Sequence, residues 1–403
     1  MCRPDHNKDT AARSSASIQK CELAKDDEWL TKFDFASFSE EIRALGKRLE
    51  AEQGPADVAH LNKMIMWSNS FAAIGLLTMG WMVNPISVIC LSLYTFSRWT
   101  MIAHHVCHGG YEKCHPNKGR WSRFKFALGT LWRRFNDWFD WMMPEAWNVE
   151  HNTRHHYNLS EITDPDLVEQ NLSFLRDMNA PVVLKYIMVS FFSLTWKWFY
   201  YAPNTYKELK LARMRRDGVK IPDDVNPADQ ITFKSSMFGQ NYFYSFGELI
   251  TVVLAPYFLF HFFVTPLPYL ALGNHLGYGT TLYWNAVTNL FLAEFLTNAH
   301  GFLAVVTNHA GDDMYRFRRA CRPFSGSFYL RQVLASVDYS MGTDLEICRR
   351  HNVPYIKENV FRRLKKTVDI MVGSTSMKWF PEPYENLYLE RDSLAEAAAL
   401  KSQ

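Results

Sequence analysis

Two histidine clusters carry the chemistry of this sequence: His104-His105-Val106-Cys107-His108 and His151-Asn152-Thr153-Arg154-His155-His156. Imidazole is a ligand for iron, zinc or copper. Residues four apart share a helix face, so His104 with His108, and His151 with His155, each direct two rings the same way. His156 adds a ring about one residue's rotation further on. His105 points away from the 104/108 face and reads as a neighbour. Together the clusters offer more nitrogens than one zinc takes. A dinuclear iron site, able to turn dioxygen against an unactivated C–H bond, fits the number better. A zinc protease would need a Glu next to its first His as general base, and position 105 is His.

The elements around the clusters explain where such a centre would sit. From Met64 to Ser97, and again from Leu249 to Ala293, there is no Asp, Glu, Lys or Arg. One membrane span needs about 20 residues. Each stretch is broken in its middle, at Asn84-Pro85 and at Thr265-Pro266-Leu267-Pro268 with Gly273-Asn274, which are turn signals. Four spans are predicted, at about 64–83, 86–103, 247–265 and 281–302, paired as two hairpins, with Arg98 snorkelling to the interface. The turns 83–86 and 265–280 have no Lys or Arg, whereas basic residues crowd the other flanks, so both ends and the long segment 104–246 are expected in the cytosol. Both histidine clusters then lie on one side.

His309, in Thr307-Asn308-His309-Ala310-Gly311-Asp312-Asp313, falls where the last span would emerge on that side. It is read as a further ligand, with Asn308 holding a water on the metal. His300 would lie deeper, and Glu294 falls inside the span, as a functional or a hydrogen-bonded structural carboxylate. His6, His60, His115, His261 and His275 are expected to be structural or solvated.

The remaining composition sets limits. The chain has 403 residues and a net charge of +3, which gives no basic field for nucleic acid. Seven cysteines without a CxxC pair argue against a disulfide framework and for a reducing compartment. Residues 1–28 predict a polar, disordered tail with no secretory signal. Residues 29–60 carry an amphipathic helical pattern that either lies on a membrane or packs on the body. Trp132, Trp138, Trp141 and Trp147 predict interfacial helices. Lys185 and Lys197 make 181–201 another interfacial helix in place of a fifth span. The expected organisation is a tail and amphipathic helix at 1–60, an integral membrane domain at 61–380 and a C-terminal tail at 381–403.

The stretches Arg98-Trp99 through His108-Gly109-Gly110-Tyr111, Trp147-Asn148-Val149-Glu150-His151 through His156-Tyr157, and Asp164-Pro165-Asp166 resemble the first and second histidine boxes of the membrane fatty acid desaturase family. The run 308–313 is similar to the segment that gives that family an extra ligand. The resemblance covers about 64–380. It implies an all-α, four-span membrane protein with a cytosolic histidine cap; the endoplasmic reticulum is the expected membrane, with a plastid or bacterial inner membrane left open. The implied centre is di-iron, held by His104, His108, His151, His155, His156 and His309, with Asn308, Asp164 and Asp166 supporting it. The implied reaction is O2-dependent insertion of a double bond into a fatty acyl lipid. Electrons would come from a separate cytochrome b5 or ferredoxin, since no His-Pro-Gly-Gly motif is present.

The family's third box, Gln/His-x-x-His-His, has no counterpart. Ser336-Val337-Asp338-Tyr339 to Asp344-Leu345 resembles the segment before that box, and Glu346-Ile347-Cys348 to Val353-Pro354-Tyr355 the segment after it. The two are joined at Leu345–Glu346. The expectation is a chain with fewer than two irons and weak or no activity. Its rivals are a hydroxylase or ketolase on the same scaffold, and an inactive form that pairs with a full-length desaturase.

Overall fold

The computed structural model describes residues 23–114, 119–239, 241–339 and 344–401. Most of the predicted tail, His6, His115 and the residues 340–343 leading to the Leu345–Glu346 junction lie outside these. The described chain is mostly helical and falls into two compact units. One combines Glu52–His156 with Tyr186–Val305. The other combines Met1–Ala51, Tyr157–Lys185 and Val306–Gln403.

The unit built on Glu52–His156 holds both histidine clusters. Helix α1 (Pro55–Thr78) starts on a proline at its first turn, where the missing N–H costs nothing. Asp57 reaches back to accept from the Gly54 amide at 2.8 Å. Helix α2 (Pro85–Cys107) repeats the device: Pro85 opens it and Asn84 caps it, Oδ1 accepting from Ser87 N at 2.8 Å. Then come α3 (144–155), α4 (Val182–Ser193), α5 (Lys197–Arg216), α6 (Phe246–Leu276) and α7 (Thr281–Val305).

Three helical stretches are long and apolar enough to cross a membrane: Pro85–Cys107, Phe246–Leu276 and Thr281–Asn308. A fourth arises if α4 and α5, bent by 77° at their junction, count as one. The predicted span 64–83 is not among the three. It falls on α1, which begins earlier, ends at Thr78 and carries Asp57, Lys63 and buried Ser68, the last accepting a hydrogen bond from Ser97 Oγ at 3.0 Å.

The predicted turn 265–280 is mostly helix. Pro266 and Pro268 stand at the start of the helical segment Leu267–Leu276, where proline initiates instead of breaking, and Gly277 ends it at φ 81°. Arg98 does not snorkel; it is buried. Trp138, Trp141 and Trp147 are likewise core residues and not an interfacial belt. The indole N–H groups of Trp138 and Trp141 find partners inside, on Met142 O at 2.9 Å and Glu294 at 2.7 Å, which is what lets tryptophan be buried. Lys185 and Lys197 also turn inward. Lys185 caps backbone carbonyls (Arg176 O at 2.7 Å), and Lys197 pairs with Asp140. The outer surface of α4 is therefore apolar, with Val183, Ile187 and Phe191 exposed.

Polar groups inside the bundle fasten its turns. Asn289 on α7 donates to Met79 O and Met82 O at 2.7 and 2.9 Å and accepts from Asn84 N at 3.0 Å, so it holds the turn between α1 and α2. Glu294 accepts from Trp141 and from Tyr257 OH at 2.7 Å, with His261 Nε2 at 3.2 Å. That is the hydrogen-bonded structural setting of the two weighed for this residue. His261 is correspondingly buried rather than solvated.

Gly80 lies against the Tyr269 ring, whose hydroxyl donates to Leu76 O at 2.5 Å. A Cβ on Gly80 would stand 1.9 Å from Tyr269 Cδ1. Gly80→Ala is expected to cost about 1–3 kcal/mol, as overpacking does, read as a lowered Tm in detergent. An unchanged Tm would mean that the ring has room to move.

In the other unit the helices Phe35–Glu52, Gly326–Leu334, Val360–Val372 and Glu382–Lys401 surround a second core. The amphipathic pattern of 29–60 is split: Gly54-Pro55 ends one helix and begins the next. Its first half packs on the body, with Phe35 stacked on Tyr388 at 4.5 Å and Phe33 and Phe38 buried. Two short parallel strand pairs, Tyr315–Arg316 with Lys378–Trp379 and Val337–Asp338 with Ile356–Lys357, are the only strands among the described residues.

Candidate metal centre

The two histidine clusters meet at helix ends. His104 lies in the last turn of α2 and His108 closes it, its amide donating to His104 O at 3.0 Å. The second cluster sits on the widened part of α3, Asn148–His155, where hydrogen bonds run from residue i+5 to residue i; the His156 amide donates to His151 O at 3.0 Å. In such a turn residue i+5 is hydrogen-bonded to residue i and comes closer to it than in an α-helix. The sequence expectation paired His151 with His155 and set His156 at an angle. The wide turn adds to this: His156 Nε2 also comes to 3.0 Å from His151 Nε2, while His151 and His155 still offer ring nitrogens within 4.8 Å of each other.

His104, His108, His151 and His156 each offer one ring nitrogen to a group lying within 4.8 Å. His151 Nε2 stands 3.1 Å from His104 Nε2 and 3.0 Å from His156 Nε2. Nitrogens bound to one metal at about 2.1 Å are separated by roughly 3.0 Å at a right angle and 3.4 Å at a tetrahedral one, so these distances suit a shared ion. The donor set is all imidazole, which suits iron, zinc or copper. His108 Nε2 is buried and has no hydrogen-bond partner among the described residues, as expected of an atom kept for a metal. His155 is buried beside the four, its ring stacked on His151 at 5.4 Å.

The surroundings keep the rings neutral and oriented. Burial drives the pKa of His108 down to about 4, with His105, His155 and Arg123 acting in the same direction. Burial and the neighbouring histidines hold His151 well below its usual range too. A metal needs the unprotonated ring, and at neutral pH both are in that form. Trp147 stacks on His151 at 4.2 Å and meets His104 edge-on at 5.5 Å, walling one side of the cluster. Asn152 donates to Cys107 O at 2.9 Å and to Asn148 Oδ1 at 2.8 Å, so it ties the two cluster-bearing helix ends together. Sequence reasoning gave Asn152 no role and expected Trp147 on an interfacial helix. Asn152's place among the histidines was the available signal. His105 is exposed, as expected.

His309, Asn308, Asp164, Asp166 and His351 belong to the other unit, and His300 to the unit of the clusters. His309 Nδ1 is 3.1 Å from Ala335 O. A carbonyl only accepts, so Nδ1 carries the proton and the lone pair sits on Nε2, the form in which a ligating histidine is held. The carbonyls of His309 and Ala310 accept from the buried guanidiniums of Arg316 and Arg363 at 3.0 and 2.7 Å, which fixes this loop. Asn308 closes the short turn Val306–Asn308. The oxygens of Asp164 accept from Ser160 N and Asp166 N, both at 2.9 Å. His300 Nδ1 is 3.0 Å from Ser92 Oγ. His351 is 2.7 Å from Glu41, which also pairs with Arg350.

The chain matches no family model, no curated protein and no solved structure, so a functional reading rests on the geometry of these four imidazoles and on the sequence patterns that surround them.

Proposed function

We propose that this chain is an integral membrane protein of the fatty acid desaturase type, carrying a histidine-ligated iron centre that acts on the acyl chain of a lipid. The single observation that supports this most is the convergence of His104, His108, His151 and His156 within 4.8 Å, beside helices apolar enough for a bilayer. Iron, when bound, supplies the electron transfer to dioxygen and the oxidising power for C–H cleavage. The chain's own residues do the rest. The four imidazoles would hold the ion, Trp147 excludes water from one side, and Asn152 keeps the two helix ends in register. His155, whose ring nitrogen lies within 4.8 Å of that of His151, is proposed as a further ligand, and His309 is proposed as one on the sequence argument.

The finer topology proposed is four spans in two hairpins, on α1 with α2 and on α6 with α7, with both ends cytosolic in the endoplasmic reticulum. Electrons come from a separate cytochrome b5 or ferredoxin.

The test is expression in a host whose lipids lack the double bond, with lipid mass spectrometry and iron analysis of the purified chain. The centre as written, without the third histidine box, is expected to keep fewer than two irons and to give little or no product. Iron below 0.1 per chain, with zinc or copper equally absent, would end the metal reading. Abundant product would overturn the expected impairment and leave the enzyme reading intact. The number of converging rings favours a second reading, because four imidazoles suffice for one metal and not two. On that reading the chain is a non-catalytic partner, and it would co-purify with an intact desaturase.

A further inference from the structure

The segment 119–134 displays what a folded core normally hides. Phe124 is 76 % exposed, Trp132 70 % and Leu131 58 %. They are not on a loose loop. Phe126 and Ala127 are buried between them, Phe126 stacks on Trp121 at 5.8 Å, and Thr130 caps the turn Leu131–Arg133 by accepting from Arg133 N at 3.2 Å. Beyond them Arg134 is buried, its guanidinium on Trp141 O at 2.8 Å and Val253 O at 2.7 Å. The three apolar side chains are thus held outward by their anchors.

Charge complements the apolar display. Between Glu112 and Asp137 the sequence has seven Lys and Arg residues and no Asp or Glu. Two of the basic residues are already committed, Arg120 to Asp137 at 2.6 Å and Arg123 to Glu112 at 3.1 Å. Lys125 and Arg133, immediately beside Phe124 and Trp132, have no ion pair among the described residues. Aromatic side chains flanked by such cations are the composition of a surface that enters the headgroup region of an anionic bilayer.

We propose that 119–134 is a lipid-docking edge: Phe124, Leu131 and Trp132 enter the acyl boundary, and Lys125 and Arg133 take the phosphates of anionic lipids. The assignment rests on the membrane reading of the chain and is independent of the metal.

A photo-crosslinking amino acid at position 132, in the full chain reconstituted into vesicles of phosphatidylcholine and phosphatidylglycerol at 7:3, tests it. Lipid adducts enriched at least twofold in phosphatidylglycerol over the bulk are expected. The double variant Lys125→Glu/Arg133→Glu should keep the lipid adducts and lose the enrichment. The same probe at Phe258, an exposed α6 residue, reports insertion of the bundle itself. Lipid adducts at 258 with none at 132 would overturn the proposal while sparing the membrane reading. So would adducts at 132 in bulk proportion, or, in native membranes, adducts to an electron-donor protein in place of lipid. Absence of lipid adducts at both positions would overturn both.

Discussion

His151→Ala and His156→Ala are each expected to strip the chain of its tightly held metal, weakening affinity by more than about 100-fold, while His155→Ala leaves that first metal in place. Loss of a residue that merely supports a ligand costs about 10–100-fold, so loss of a ligand should exceed it. The order follows from one backbone feature. In an ordinary helix His155 would stack on His151 and His156 would swing away. Across Asn148–His155 the turn is wider, and the His156 ring comes to 3.0 Å from that of His151. His155 still lies against His151, at 29° between ring planes, but with ring centroids 5.4 Å apart against 4.5 Å for His156. Cobalt titration followed by its visible absorption, with elemental analysis of the purified variants, reads the difference. Equal losses in His155→Ala and His156→Ala would show that the wide turn does not choose the ligands. Retention in His156→Ala would mean that the cluster is not the site.

The same feature marks the limit of what the sequence discloses. Ligand chemistry is written in residue types, and the two clusters were legible because histidine in such numbers next to apolar helices has few structural uses. Whether His156 joins the ring of His151 depends on whether a turn closes at four residues or five. Nothing in Asn148-Val149-Glu150-His151 announces the wider turn. The limits of the helices were blurred for a similar reason. Pro266 and Pro268 read as breakers, yet at a first turn they start a helix, and only the position of the preceding helix end separates the two cases. Lysines carry a different ambiguity. Lys185 and Lys197 count against a membrane helix on any hydropathy scale, but a charge turned inward onto a carbonyl or a carboxylate leaves the outer face apolar. Pairings of that kind join residues far apart in sequence and cannot be read from either one alone. The turn at Asn84-Pro85 was legible, because Asn at the cap and Pro at the first position are local chemistry. The hold of Asn289 on that turn was not.

Lys197→Met is expected to destabilise the chain by about 3–5 kcal/mol, and Asp140→Asn by a comparable amount, whereas the double variant recovers most of the loss. Both side chains are fully buried. Breaking one half of a buried pair leaves the other charge without its counter-ion in a medium that solvates it poorly, which accounts for a cost of that size. Removing both charges also removes the desolvation that folding must overcome, so the double variant is not the sum of its parts. Methionine retains the length and the contact with the Trp99 ring, over which Lys197 Nζ stands at 5.0 Å. Asparagine retains an oxygen for the Met142 amide, which donates to Asp140 Oδ1 at 3.3 Å. The backbone amide of Lys197 donates to Asn298 Oδ1 at 3.1 Å in every variant, so the start of α5 keeps its tie to α7. Thermal unfolding of the four chains in one detergent completes the cycle. Recovery in the double variant assigns the single losses to uncompensated charge. A double variant as unstable as the sum of the singles would assign them to packing and rule out the pair as an electrostatic unit. Because Trp99 precedes the first histidine cluster on α2, the cobalt spectrum of the same four chains shows whether the pair also governs the metal geometry. A spectrum unchanged in the double variant would confine the pair to holding the bundle together.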